Sequence, residues 1–240
     1  MYTLDTNSAM QADVTGGRIT ESGEYVGKIT AAWEETFGSG AKAVKINFET
    51  DQGEYANGLT LFVFGKDGSK LYGLNTVNAI MMCTETRGMT PVPGKVELYD
   101  RDIGQVVPQD KMVFNELVGK PIGMLLQQAE KKDQDGYLVT SKDGSTFYEM
   151  NIFGVFEAST GRTATEKAKR VARASDKDKR VEYLKKNPIR KAKDAKIKQQ
   201  SSGIAPLPSY QNGGQQNGAP QFGDPGYGAS QGYDNDEIPF

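Results

Sequence analysis

From residue 24 to residue 64 apolar and polar positions alternate with the period of two that marks half-buried strands. Residues 25–33 (YVGKITAAW) put Tyr25, Ile29, Ala31 and Trp33 on one face. Residues 42–50 (KAVKINFET) turn Val44, Ile46 and Phe48 inward and Lys45, Asn47 and Glu49 outward. Residues 57–65 (NGLTLFVFG) set Leu59, Leu61 and Val63 against Thr60, Phe62 and Phe64. The turn sequences DQGE (51–54) and KDGS (66–69) punctuate these runs, the second leading into a short strand at 70–72. The period then changes. Leu74, Val77, Ile80 or Met81, and Thr84 form one helical stripe, predicting a helix over 74–86. A proline-containing loop follows, with a helical turn over 113–118. Strands are predicted again at 120–129 and 146–157, joined by a polar hairpin over 130–145. In the last of these Tyr148, Met150, Ile152 and Phe156 share a face, opposite Phe147, Glu149, Asn151 and Phe153. KDGS recurs at 142–145 with different flanks, so it is turn chemistry and not a repeat.

Three strands, one helix and two strands is the order of a five-stranded oligonucleotide/oligosaccharide-binding (OB) barrel with one inserted helix. That mainly β fold is the expectation for residues 1–161, with a generic α+β sandwich as the alternative. Residues 162–198 change character: TATE (163–166) is a capping-box pattern, SDKD (175–178) offers a second N-cap, and Asn187-Pro188 suits a third helix start. Two or three basic helices with thin apolar stripes are predicted there. Residues 199–233 are rich in Gly, Gln, Asn, Pro and Ser without any period, the composition of a disordered linker. Residues 234–240 form a short acidic tip.

Charge sharpens this division. The whole chain of 240 residues carries a net −2, yet residues 1–161 sum to −8, residues 162–198 to +10 and residues 199–240 to −4. Fifteen Lys and Arg among the 37 residues of the basic block exceed what solubility requires, and favour a nucleic-acid-binding extension over a docking surface for acidic partners. Folding of the acidic tip back onto this block, in competition with DNA, is a further expectation.

Catalytic patterns are absent from the sequence. It has no histidine, which excludes Ser-His-Asp and Cys-His machinery and histidine-containing zinc sites. The single Cys83, in the apolar run AIMMC (79–83), reads as a small core residue in a reducing setting. GSGAK (38–42) lacks the spacing of a phosphate-binding loop and runs into a strand; DQDG (133–136) lacks the further ligands of a calcium loop. No signal peptide or membrane-spanning run is evident, so a non-enzymatic cytoplasmic protein without metal or cofactor is expected.

Aromatic and basic residues offer a different chemistry. Single strands of nucleic acid are held by aromatic faces that stack bases and by cations that follow phosphates. On an OB barrel this falls to strands 2 and 3 and the loops joining strands 1–2 and 4–5. The candidates are Trp33, Phe37, Lys45, Phe62 and Phe64, with Lys131, Lys132, Tyr137 and Lys142 from the long hairpin. The negative charge of this region leaves stacking to carry much of the affinity.

The terminal sequence DNDEIPF resembles the acidic tip of bacterial single-stranded-DNA-binding proteins (SSBs), matching at Asp234, Asp236, Glu237, Ile238, Pro239 and Phe240, with Asn235 interrupting the acidic run. The linker matches in composition. The first 198 residues depart from the bacterial pattern in domain length and in their basic helices, and are diffusely similar to phage-encoded single-stranded-DNA-binding proteins. The resemblance implies a protein that coats single-stranded DNA in replication, recombination and repair. It also implies recruitment of replication and recombination proteins through the tip; a homo-oligomer is an expectation that the resemblance does not itself carry over. Carboxylates would steer the tip to basic pockets, and Phe240 would fill an apolar one. About 35 flexible residues would give the tip a reach of roughly 30–35 Å. The alternatives are a strand-annealing or recombination-mediator protein, and a replisome adaptor whose β domain binds protein.

Overall fold

The computed structural model describes residues 16–196, apart from 101, 134, 142, 172 and 173. The predicted linker and tip lie outside the described residues. Among the described residues, eight strands and three helices follow in the order β1 (Gly23–Thr36), β2 (Lys42–Thr50), β3 (Tyr55–Phe64), α1 (Gly73–Cys83), β4 (Val92–Asp100), β5 (Gln105–Val113), β6 (Pro121–Glu130), β7 (Tyr148–Phe156), α2 (Ala164–Ala168), α3 (Asp176–Lys186) and β8 (Ile189–Arg190). The fold is mainly β. All eight strands belong to one predominantly antiparallel sheet, with the path β3-β2-β1-β5-β4 and with β6 joined to β1, β7 and β8. No ladder links β3 to β7 among the described residues, so the sheet is not closed.

The 14-residue β1 is shared between two neighbours on one side. Residues 23–28 pair with β6, whereas Trp33 and Glu34 pair with the end of β5. A register shift between Ile29 and Ala31 makes this possible. One extra residue in a strand bends it and exchanges its faces. Before the bulge Ile29 points into the main core; after it Ala32 does, and Trp33 turns to the opposite side. The single face predicted for Tyr25, Ile29, Ala31 and Trp33 is therefore split in two.

The main core unites Ile29, Val44, Ile46 and Phe48 with Leu59, Leu61 and Val63, as alternation in β2 and β3 predicts. Val77, Ile80 and Cys83 of α1 close one end of it, together with Phe114 and Leu117 from the turn after β5. Helix α1 ends where Thr84 returns its hydroxyl to the Ile80 carbonyl at 2.8 Å. Its start rests on β3: a Cβ on Gly73 would meet the Phe62 carbonyl oxygen at 2.2 Å. Only glycine permits that approach.

Three predicted features differ in the structure. The proline-containing loop after α1 is in large part the hairpin β4–β5, nine residues paired in full register from Val92↔Val113 to Asp100↔Gln105. Proline is tolerated there because β4 is the sheet edge and β5 meets β1 only at its last two residues, so Pro93 and Pro108 remove no bond the sheet needs. The predicted strand at 70–72 reduces to one bridge between Phe64 and Lys70. Lastly, Asn187-Pro188 starts no helix. It leads into β8, which runs parallel to β6 at Gln128 and Ala129.

In β7 a second register shift, opposite Leu125 and Leu126, moves Phe156 off the face it was predicted to share with Met150 and Ile152. Phe156 instead joins Phe153, Leu125 and Leu184 in a separate cluster, with Val155 taking the main-core side. Leu184 belongs to α3, so the basic extension is packed on the sheet through this cluster. Gly123, paired with Phe156, lies beneath that ring: a Cβ there would meet Phe156 Cε2 at 2.0 Å.

Glu166 ties the extension together. The capping box predicted at TATE forms, with Thr163 and Glu166 exchanging side-chain and backbone bonds. The second Glu166 oxygen accepts from the backbone N–H groups of Ser175 at 2.6 Å and Asp176 at 2.9 Å, the start of α3. Burial works to raise the Glu166 carboxyl, but these backbone donors outweigh it and hold it at about 2. Glu157 is likewise held at about 2, by Lys167 at 2.5 Å and Thr160, with Arg162 adding to them.

Candidate nucleic-acid interface

The face of β2 and β3 turned away from the main core carries Lys45 paired with Thr60, and Phe62 paired with Ala43. Phe62 is 44% exposed, an unusual position for a phenylalanine with core residues on either side of it in sequence. The loop from β1 to β2 brings Phe37 onto this face. That loop is a tight turn, closed by the Phe37 N–H bonding to the Ala41 carbonyl at 2.9 Å and the Gly40 N–H to the Phe37 carbonyl at 2.8 Å. Gly40 has φ +88°, which fits glycine. The Phe37 and Phe62 rings stand with centroids 5.1 Å apart and planes tilted by 36°. Lys45 Nζ lies 5.5 Å from the Phe37 centroid. Three residues named from sequence, on three different elements, thus form one aromatic-and-cation cluster.

Other candidates are placed elsewhere. Trp33 is 1% exposed, enclosed by Val96 and Val113, and its Nε1 donates to Glu35 at 3.1 Å. Its ring has no free face for a base, which corrects its assignment as a stacking residue. The cause is the β1 bulge together with the hairpin β4–β5, which covers it. Phe64 is half-buried and packs against the main core.

Lys131, Lys132 and Tyr137 sit in the β6–β7 loop. Since β6 is antiparallel to β1 and overruns its Gly23 end, this loop and Phe37 lie at opposite ends of β1. Lys131 is exposed, whereas Lys132 Nζ donates to the Lys193 carbonyl at 2.8 Å. Tyr137 is half-buried with Lys196 Nζ 5.4 Å from its ring centroid. Lys142 and the tip residues Asp234, Asp236, Glu237, Ile238, Pro239 and Phe240 lie outside the described residues.

Two parts of the site were not foreseen. Lys111, on β5, bonds both Glu35 oxygens at 3.1 and 3.2 Å. Burial tends to raise the Glu35 carboxyl, but the bonds from Trp33 and Lys111 and the charges of Lys111 and Lys45 hold it below the usual carboxylate range. Glu35 therefore stays ionised beside the aromatic cluster and offsets part of its positive charge. The alternation in KVELYD (95–100) is the sequence signal for the hairpin carrying Lys111.

The other unforeseen part is the path of residues 187–196. Gln127 Nε2 donates to the Asn187 carbonyl, the Ala192 N–H to Glu130, and the Leu138 N–H to the Lys196 carbonyl. The basic extension thereby runs beside β6 and straps the β6–β7 loop. On α3, Tyr183 is 45% exposed and stacks flat on Phe153, centroids 5.4 Å apart and planes 2° apart, in a helix that also presents Lys179, Arg180 and Lys186. Among the described residues no cluster of His, Cys, Asp and Glu is suited to a metal ion, and no helix is long and apolar enough to cross a membrane.

No family model matches the chain, and a search of curated proteins finds no similar one.

Proposed function

We propose that the protein binds single-stranded DNA without catalysis, through the β2–β3 face, and recruits partner proteins through its acidic tip. The observation that carries the binding half is the cluster of Phe37, Phe62 and Lys45: two adjoining rings, one well exposed, with an ammonium group beside them. Bases stack on such rings whatever their sequence, and the cation meets phosphate. The strand order supports the same reading. The order β1, β2, β3, α1, β6, β7 is consistent with an OB-like fold carrying β4–β5 as an inserted hairpin, although no β3–β7 ladder closes it among the described residues, and β2 and β3 are the usual ligand face of that fold. The recruiting half rests on the resemblance of residues 234–240 to bacterial SSB tips.

Ultraviolet crosslinking of oligo(dT) followed by peptide mapping tests the assignment. Crosslinks concentrated at Phe37 and Phe62 are the expected outcome; crosslinks confined to the extension would move the site. Removing residues 238–240 should leave DNA binding intact and abolish capture of replication proteins.

A second reading, strand annealing, is favoured by the Tyr183–Phe153 stack among the cations of α3. A second aromatic-and-basic surface would let one molecule hold two strands. It predicts that Tyr183→Ala slows hybridisation of complementary strands while leaving affinity for a single oligonucleotide nearly unchanged.

A further inference from the structure

Strand β4 is an edge of the sheet: among the described residues no strand pairs with its outer side. A free nine-residue edge presents unpaired N–H and C=O groups to any strand that matches it. The groups on offer follow from the ladder with β5. Pro108 has no N–H to give, and it stands opposite Glu97. The Glu97–Pro108 pair is therefore the kind that exchanges no hydrogen bonds, which turns the backbone groups of Glu97, and by alternation those of Lys95 and Tyr99, outward to the free edge.

The geometry points to self-association: two copies of this chain pair through β4, antiparallel, about a two-fold axis at Val96. Val96 is the middle of Val92–Asp100, so this register uses every residue of the strand. It sets Lys95 of each copy directly across from Glu97 of the other, twice per dimer. Those residues carry the outward backbone groups, so each Lys95–Glu97 pair also exchanges two backbone hydrogen bonds. Opposite charges directly across an antiparallel pair are stabilising and like charges destabilising. Pro93 then meets Tyr99, which in one copy is 64% exposed. That tyrosine, paired with the equally bare Val106, forms an exposed apolar patch beside the free edge. A strand-only interface is small, so the dimer is a reversible one. It joins two β2–β3 faces in one continuous sheet. The inference does not depend on what those faces bind.

Sedimentation velocity of the full chain, without nucleic acid and over about 1–100 µM, tests it by charge exchange. Wild-type protein should show a concentration-dependent dimer. Lys95→Glu and Glu97→Lys should each weaken dimerisation by about tenfold, because each puts like charges across the axis twice. The double variant K95E/E97K restores opposite pairs and should regain the dimer. Both side chains are solvent-exposed, so thermal melting should be unchanged in all three. A wild type that stays monomeric throughout would overturn the inference and leave Pro93 and Lys95 as guards against pairing. A dimer indifferent to the single exchanges, or not recovered by the double one, would overturn it equally.

Discussion

Phe37 and Phe62 belong to different elements, a loop and a strand, yet their rings meet at 5.1 Å with Phe62 held at the surface. The contact is maintained from both sides. The β1–β2 turn fixes Phe37, and the start of α1 at Gly73 presses on the Phe62 backbone. If the pair stacks bases, Phe62→Ala and Phe37→Ala should each lower affinity for oligo(dT) by about 1–3 kcal/mol, roughly 5- to 150-fold. The thermal midpoint should fall little for Phe62, which is half in solvent. Fluorescence anisotropy with a labelled oligonucleotide, alongside calorimetry, checks both.

Trp33 makes the opposite prediction. Enclosed by Val96 and Val113, it should emit as a buried indole, resist quenching by iodide and change little when DNA binds. Trp33→Ala should cost about 3–5 kcal/mol of stability, read from chemical denaturation. Strong quenching of its emission by oligo(dT) would place it in the site after all.

Glu35 restrains the cluster it adjoins. Glu35→Gln keeps an acceptor for Trp33 Nε1, frees Lys111 from its ion pair and removes one negative charge near Lys45. Affinity for single strands should rise, with a steeper loss on adding salt; Lys45→Ala should do the reverse and lower the salt slope by about 0.7. The comparison needs only binding titrations at several salt concentrations.

Acid should loosen the extension first. Glu157 and Glu166 titrate at about 2 in the folded protein against an ordinary 4.5, so the stability they contribute is present above about pH 5 and lost as pH falls toward 2. Glu166→Ala strands the N–H groups of Thr163, Ser175 and Asp176, and should destabilise α2 and α3 by about 2–4 kcal/mol. Hydrogen exchange across residues 163–186, compared with β2 and β3, reports both effects.

In β2, β3 and α1 the inward positions follow the predicted period. Val44, Ile46 and Phe48 of β2 and Leu59, Leu61 and Val63 of β3 reach the core as alternation requires, even though register shifts at Lys42/Ala43 and Ile46/Phe48 interrupt the ladder between them, and Phe62 and Lys45 emerge on the outer face. Periodicity misplaced Trp33 and Phe156 because a bulge exchanges the faces of a strand without altering its composition. The β4–β5 hairpin was obscured by Pro93 and Pro108, whose missing N–H groups matter only in strands paired on both sides. The strap at 187–196 was illegible for another reason: its bonds are backbone groups and polar side chains meeting residues some 60 positions away, as Gln127 meets Asn187. Such contacts leave no local signal. The meeting of Phe37 with Phe62 needed the register between strands, although each residue was visible singly as an aromatic on an outer face or a loop.

The central claim is preference for single strands carried by the β2–β3 face. Titrating the full chain with oligo(dT) and with a duplex of equal length, from low to high salt, tests it most directly. Tight single-strand binding that weakens with salt but persists through stacking is expected, with duplex affinity far lower at every concentration. Equal affinity for both, or single-strand binding that disappears entirely as salt is raised, would contradict it.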